Sequence, residues 1–308
     1  MRRATIAIFL LAVPAGAQTQ RPDLAGIWNS ATATPIERPA SLKDRAFFTP
    51  EEAKAFEHQA AERNKDTPSG TASANVGTYN TFWREFGVHI VKTRRTSIIV
   101  DPPDGRLPPL TPAAAALKKQ KQAALKNPQS PEDLGLQDQC LELSPAVPPM
   151  MPYSYNSNYQ ILQTADTVMI HVEMPHETRI VSLSRKEHAP AGVRFWLGDS
   201  IGHWEGNTLV VDTTNFNDAG GFYGDAGGMY GWDRNMHVVE RFSLMDKDTL
   251  LYQFSVDDPT AFTKPWKGEY TMDRSTGPIY EYACHEGNYA LPNLMKAFAA
   301  DAQANAAR

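Results

Sequence analysis

Asp199 to Phe216 reads DSIGHWEGNTLVVDTTNF, and this stretch decides the fold. Two β-strands meet at Glu205-Gly206-Asn207, where glycine and asparagine tolerate the positive φ of a tight hairpin turn. The second strand, Thr208 to Thr214, is dense in β-branched residues, the composition that suits a pleated surface. The loop after it, Asn215 to Asp233, is full of glycine and acid. A rigid hairpin opening into a polar loop is a common scaffold for a binding site.

Working outward, the same pattern runs from Asn158 to Cys284. Strands are predicted near 158–164, 167–173, 178–184, 193–197, 201–205, 208–215, 236–244, 248–257, 267–274 and 278–284. Turns separate them at Ala165-Asp166, Asp246-Lys247-Asp248 and Ser275-Thr276-Gly277-Pro278. Short strands at regular spacing predict an antiparallel meander. Such a meander must close into a barrel or fold into a sandwich to protect its edges. The expected class is mainly β, a closed or partly closed barrel of about eight to ten strands.

The chain before the barrel, 18–157, is expected to hold a strand, two helices and a proline-rich cover, forming one domain with 158–290. Asp23 to Asn29 looks like the start of a strand, and Thr96 to Val100 reads as a short strand ending in a turn. Thr49-Pro50-Glu51-Glu52 combines an N-cap, a proline at the first helical position and a capping-box glutamate, so Ala53 to Arg63 should be helical. Thr111-Pro112 announces a second helix, Ala113 to Lys126. Pro128 to Pro152 reads as a long covering segment, and a last helix is expected within 291–308. The helices and linkers should pack outside the sheet.

Residues 1–17 have the form of a signal peptide: Arg2 and Arg3, an apolar run from Ile6 to Val13, and Ala15-Gly16-Ala17 as a cleavage site. The run is too short for the about 20 apolar residues of a membrane anchor, so no stable membrane insertion is expected after cleavage. The expected location is periplasmic or secreted. The formal charge is −5 and becomes more negative once the two arginines leave, which gives no support to nucleic-acid binding. Cys140 and Cys284 are the only cysteines. In an oxidising compartment two cysteines favour one disulfide. The alternative is a nucleophilic or metal-binding thiol at Cys284, beside His285 and Glu286.

Several segments carry a resemblance. Gly26-Ile27-Trp28 is similar to the Gly-x-Trp opening of lipocalin-type barrels, in which the tryptophan plugs one end. That segment, the DPPDGR turn at 101–106, NYQI at 158–161, WEGNTLVVDTTNF at 204–216, HVVERF at 237–242 and YEYACHEGNY at 280–289 together resemble a family of uncharacterised exported bacterial proteins. The resemblance spans nearly the whole chain after the leader. It implies a secreted β-rich protein and no particular catalytic residue.

Strand parity locates candidate chemistry. Met236, Val238, Glu240 and Phe242 share the apolar face of their strand, which should point inward, against His237, Val239, Arg241 and Ser243. A core-facing carboxylate needs a partner. Glu240 is either a cavity acid or half of a structural ion pair with an arginine such as Arg179 or Arg194. His171-Val172-Glu173-Met174-Pro175-His176-Glu177-Thr178-Arg179 is the densest polar cluster. His171, Glu173 and His176 could ligate a metal such as zinc, although the spacing is not the helical H-E-x-x-H signature. His176 with Glu173 could be an acid–base pair, or the cluster is a solvated hairpin end. His203 is a second candidate imidazole or simply a partner to Asp199, while Asp212 reads as the solvent face of its strand. The catalytic candidates are therefore His176, His203, Glu240, Glu173 and Arg179. Asp199, Trp196, Asn215, Tyr223 and Trp232 are the substrate-contacting candidates, the last two in a glycine-rich aromatic loop that suits a lid or a packed Ω-loop.

There is no G-x-S-x-G elbow, phosphate-binding glycine loop, dinucleotide fingerprint or C-x-x-C, and no cofactor is expected. The function expected first is an exported acid–base enzyme of lyase, isomerase or hydrolase type acting on a small or oligosaccharide-like molecule in a barrel cavity. A periplasmic lipocalin-like binding or carrier protein is the alternative. A structural, partner-binding envelope protein comes last.

Overall fold

The computed structural model describes residues 21–65, 87–136, 138–141, 145–153, 156–218 and 234–306. The expected signal peptide and the loop carrying Tyr223 and Trp232 lie outside the described residues. The described residues form ten strands: β1 (Gly26–Asn29), β2 (Ile99–Asp101), β3 (Asn158–Gln163), β4 (Thr167–Val172), β5 (Thr178–Ser182), β6 (Asp199–Glu205), β7 (Thr208–Thr214), β8 (His237–Asp246), β9 (Thr249–Asp257) and β10 (Trp266–Ser275). The order β1-β3-β4-β5-β6-β7-β8-β9-β10 closes on itself through a β1–β10 pairing. This is a nine-strand barrel, and β2 pairs with β10 from outside it. The architecture is calycin-like, as the strand spacing predicts. Closure leaves the ring without unpaired edges.

The ring departs from a pure antiparallel meander at one place. β5 and β6 run parallel, with Val181 opposite Ser200. A parallel pair needs a crossover of a dozen or more residues, and 183–198 supplies it. The strand expected at 193–197 is reduced there to a bridge between Phe195 and Phe216. The segment 278–284 forms no strand. The hairpin at Gly206 and Asn207 has the two-residue form, with Glu205 opposite Thr208 and φ of 58° at Gly206. Positive φ at the first central residue is the II′ pattern, which matches the twist of the flanking strands.

The helices sit where their caps place them: α1 (Pro50–Arg63), α2 (Pro112–Lys126) and α3 (Ala290–Ala306). Thr49 and Glu52 form the reciprocal capping box, and Thr111 caps α2. α1 buries only Ala53 and Ala60 and α2 only Ala114, so these two helices are peripheral.

Side chains of alternate residues fill the barrel. Trp28, Tyr159, Phe242, Tyr252, Tyr270 and Trp266 are essentially inaccessible to solvent. Trp28 donates its indole N–H to Leu24 O at 2.9 Å, and Arg274 stacks over its ring at 4.2 Å. Gly268 is required by close approach, because a Cβ there would run into the Phe254 ring. The proline-rich segment is more than a cover: Ala146, Val147, Met150 and Met151 belong to the core. Its polar backbone is met by tyrosine hydroxyls. Tyr252 Oη accepts the Met150 N–H and Tyr270 Oη donates to Met150 O, both at 2.9 Å. Tyr159 Oη donates to Pro145 O at 3.0 Å. Burial drives all three phenol pKa values upward, so they remain hydroxyls.

Beneath this segment lies the interior charge. Arg179 on β5 and Glu240 on β8 form a bidentate pair, with side chains 3 % and 0 % exposed. Tyr252 Oη donates to Glu240 Oε1 at 2.8 Å. Burial alone would lower the Arg179 pKa, but the facing Glu240 carboxylate more than offsets it. The disulfide Cys140–Cys284 closes a span of 144 residues and ties the stretch before the core segment to the chain after β10. Such a bond is consistent with an oxidising compartment. No described helix is long and apolar enough to cross a membrane.

Candidate functional site

The outer wall formed by β6, β7 and β8 carries a chain of charged side chains. Outward-facing positions alternate with the barrel-filling ones, so Asp199 leaves β6, Asp212 leaves β7 and His237 leaves β8 on the same side. Asp212 is opposite Val239, which makes His237 its diagonal neighbour across the strand pair. The crossover then lays His188 over them. It is stitched down by Asn215, whose Nδ2 donates to Ala189 O at 2.9 Å and Pro190 O at 3.3 Å. Phe195 N–H also donates to Asn215 O.

The resulting relay runs through five residues. Arg185 grips Asp199 with two nitrogens, at 2.6 and 3.2 Å. Asp199 Oδ2 also accepts the Ala189 N–H at 2.8 Å and faces His188 Nδ1 at 3.1 Å. His188 Nε2 meets Asp212 Oδ1 at 2.9 Å. Asp212 Oδ2 meets His237 Nε2 at 3.0 Å. Both His188 contacts can be hydrogen bonds at once only when both ring nitrogens carry hydrogen. Asp212 is thus held by one imidazole on each oxygen and cannot rotate away from either.

Burial would raise both carboxyl pKa values, and the partners reverse this. Arg185, the Ala189 N–H and His188 hold Asp199 below its ordinary value. His237 and His188 do the same for Asp212. The hydrogen bond that His237 donates to the Asp212 carboxylate raises the His237 pKa against the opposing effect of partial burial, with help from the charges of Asp212 and Asp257. From Asp199 onward exposure increases, from 9 % for the Asp199 side chain to 43 % for His237, while Arg185 at the other end is itself 41 % exposed. His237 Nδ1 has no hydrogen-bond partner among the described residues. An imidazole oriented by a carboxylate, with its other nitrogen open to solvent, can accept or deliver a proton.

The residues singled out from sequence fall in separate places. Glu240 and Arg179 are inside the barrel, on the opposite face of the sheet from His237. His203 is on the outer wall with its side chain 57 % exposed, and pairs with Glu205 at 3.2 Å rather than with Asp199. Glu205 is also bonded by Arg241 at 2.9 Å. His176 is exposed in the β4–β5 turn at φ 73° and meets the His171 ring edge-on at 4.5 Å. Partial burial, with His176 as a like-charge neighbour, lowers the His171 pKa. Glu173 is buried nearby and takes Asn158 Nδ2 at 2.7 Å and Tyr280 N–H at 3.2 Å, the contacts of a structural anchor. Among the described residues no three His, Cys, Asp or Glu side chains are grouped to hold a metal. Trp196 is exposed on the crossover, and Asn215 is the clamp described above.

The structure therefore brings together Asp199, Asp212 and His237 and adds His188 and Arg185, on which the sequence reading placed no role. The outward parity of Asp212 and His237 was a usable signal for their meeting. The crossover path that delivers His188 had none. No protein-family model and no curated protein matches this chain.

Proposed function

We propose that this protein is an exported acid–base enzyme of lyase, isomerase or hydrolase type, in which His237 moves the proton and Asp212 orients it. The observation that supports this is the Asp212 carboxylate clamped between two imidazoles, one of them half-exposed. Asp212 fixes the His237 tautomer and favours its cation, the form from which a general acid delivers a proton. His188, Asp199 and Arg185 are positioning residues. They hold Asp212 from behind, through His188 and the Asp199 carboxylate. The site lies on the outer wall, because the barrel interior is filled with aromatic side chains and the 145–151 segment. A small or oligosaccharide-like substrate would lie across β7 and β8 beside His237.

The test is a substrate screen with nitrophenyl esters, nitrophenyl glycosides and polyuronides, the last followed through the unsaturated product of β-elimination. His237→Ala should lower any turnover found by about 100-fold or more, and Asp212→Asn should lower it by less. His203→Ala and His176→Ala should leave it unchanged. Turnover that survives His237→Ala in a folded protein rules out the assignment.

A further inference from the structure

A cavity of about 340 Å³ lies between the 32–36 segment after β1, the C-terminal end of α1, and Pro152-Tyr153. It is remote from the relay: around the ring, at least two strands separate β1 and β3 from β6 and β8 in either direction. Its walls are mostly apolar. Ala60 and Ile98 are buried, and Ala33, Pro35, Ile36 and Pro152 complete the lining. Such a volume is at the lower end of small-molecule sites, about 300–1,000 Å³, and admits a single-ring or short-chain compound.

Three polar side chains, one of them the exposed Arg63, also line this space. Arg63, in the last turn of α1, forms no ion pair among the described residues, and its guanidinium lies 5.7 Å from the Phe56 ring. Thr34 is buried, and its Oγ1 already accepts the Val91 N–H at 2.9 Å, so its hydroxyl hydrogen remains to be donated. Asn64, the C-cap, also lines the cavity. The end of α1 carries about half a negative charge from its free carbonyls, which the Arg63 cation offsets. One guanidinium and one hydroxyl donor beside an apolar wall match one carboxylate on a compact hydrocarbon body.

We propose that this cavity binds a small monocarboxylic acid, with the carboxylate on Arg63 and the Thr34 hydroxyl and the apolar body against Ala60, Ile98 and Pro152. The site is independent of the relay, and either assignment can fail while the other stands.

The probe pair is phenylacetate and its neutral analogue phenylacetamide, titrated into the whole mature protein and followed in amide NMR spectra near neutral pH. Phenylacetate should give saturable shifts at Thr34, Asn64 and Ile98. Phenylacetamide should bind about tenfold more weakly or worse, and Arg63→Gln should cost phenylacetate a similar factor, the change that 1.4 kcal/mol produces. The proposal is overturned if phenylacetate leaves those amides unmoved, if acid and amide bind alike, or if Arg63→Gln binds phenylacetate as the parent does. The acid–amide comparison needs no variant, so it stays decisive should Arg63→Gln fold poorly.

Discussion

Replacing Glu240 by glutamine should be among the most damaging conservative changes available to this protein. The substitution keeps the shape and removes one charge from a pair whose side chains are 3 % and 0 % exposed. Arg179 then remains buried without a counter-ion, and Tyr252 Oη faces a weaker acceptor. Breaking a buried pair from one side costs about 3–5 kcal/mol, because the remaining charge is uncompensated. Folded domains have about 5–15 kcal/mol in total, so the loss is a large share. It should lower Tm by roughly 6–10 °C, taking about 2 °C per kcal/mol for a chain of this size. The pair itself is a different matter: Arg179→Met with Glu240→Leu removes both charges, and such exchanges are often neutral or stabilising. The double variant still leaves Tyr252 Oη without its carboxylate, a penalty of about 1–3 kcal/mol. Guanidinium unfolding followed by circular dichroism and tryptophan fluorescence measures all four corners of the cycle with the disulfide intact. The expected result is a double variant at least about 2 kcal/mol more stable than the sum of the single losses implies. Additive losses, or a Glu240→Gln variant within about 1 kcal/mol of the parent, would refute the idea that the interior charge depends on its partner.

Replacing Cys140 and Cys284 together by serine should destabilise by up to about 5 kcal/mol in the chain-entropy model for a closed span of 144 residues, read as the shift in unfolding midpoint. Asp199→Ala removes the acceptor shared by Arg185, Ala189 and His188 and should cost about 2–3 kcal/mol; a loss under about 0.5 kcal/mol would show that the crossover is not held this way. The Asp212–His237 pair should also shape the pH profile of stability. His237 has a raised folded pKa, so its contribution is full below about 6.5, the unfolded value, and is lost as pH rises through the folded one. Asp212 has a lowered folded pKa, so its contribution is full above about 3.9 and is lost as pH falls through the folded one. The stability difference between the parent and His237→Asn should therefore peak between about pH 4 and 6.5, at up to about 1 kcal/mol for a half-exposed pair, and shrink on both sides. A difference that fails to shrink as pH rises above about 6.5 and as it falls below about 4 would contradict the pairing.

The barrel is legible because its rules are local. Val238, Glu240 and Phe242 alternate with His237, Val239 and Arg241, and period two fixes which row is inside whatever the neighbouring strands are. The helix starts at Thr49 and Thr111 are equally local, since a side-chain oxygen caps N–H groups two or three residues on. The parallel β5–β6 pair is not legible in this way. Leu183 to Gly198 could be a strand or a crossover by composition, and only closure of the ring selects the return path. The same difficulty hides the relay. His188 comes from that crossover, and its partners Asp199 and Asp212 are 11 and 24 residues further along the chain. The 145–151 segment is similarly obscure, because prolines usually mark surface chain. Three tyrosine hydroxyls from separate strands satisfy its backbone and allow it to enter the core. The cluster from His171 to Arg179, dense in sequence, is dispersed by strand geometry: Arg179 points into the barrel, while His176 is exposed in the turn.

The most direct test of the relay is the proton NMR titration of His237 in the parent and in Asp212→Asn. If Asp212 orients and charges this imidazole, His237 should titrate above the ordinary histidine value of about 6.5 in the parent and fall to that value or below in the variant. An identical midpoint in the two proteins, or a parent midpoint at or below the ordinary value, would contradict the relay and the acid–base role built on it.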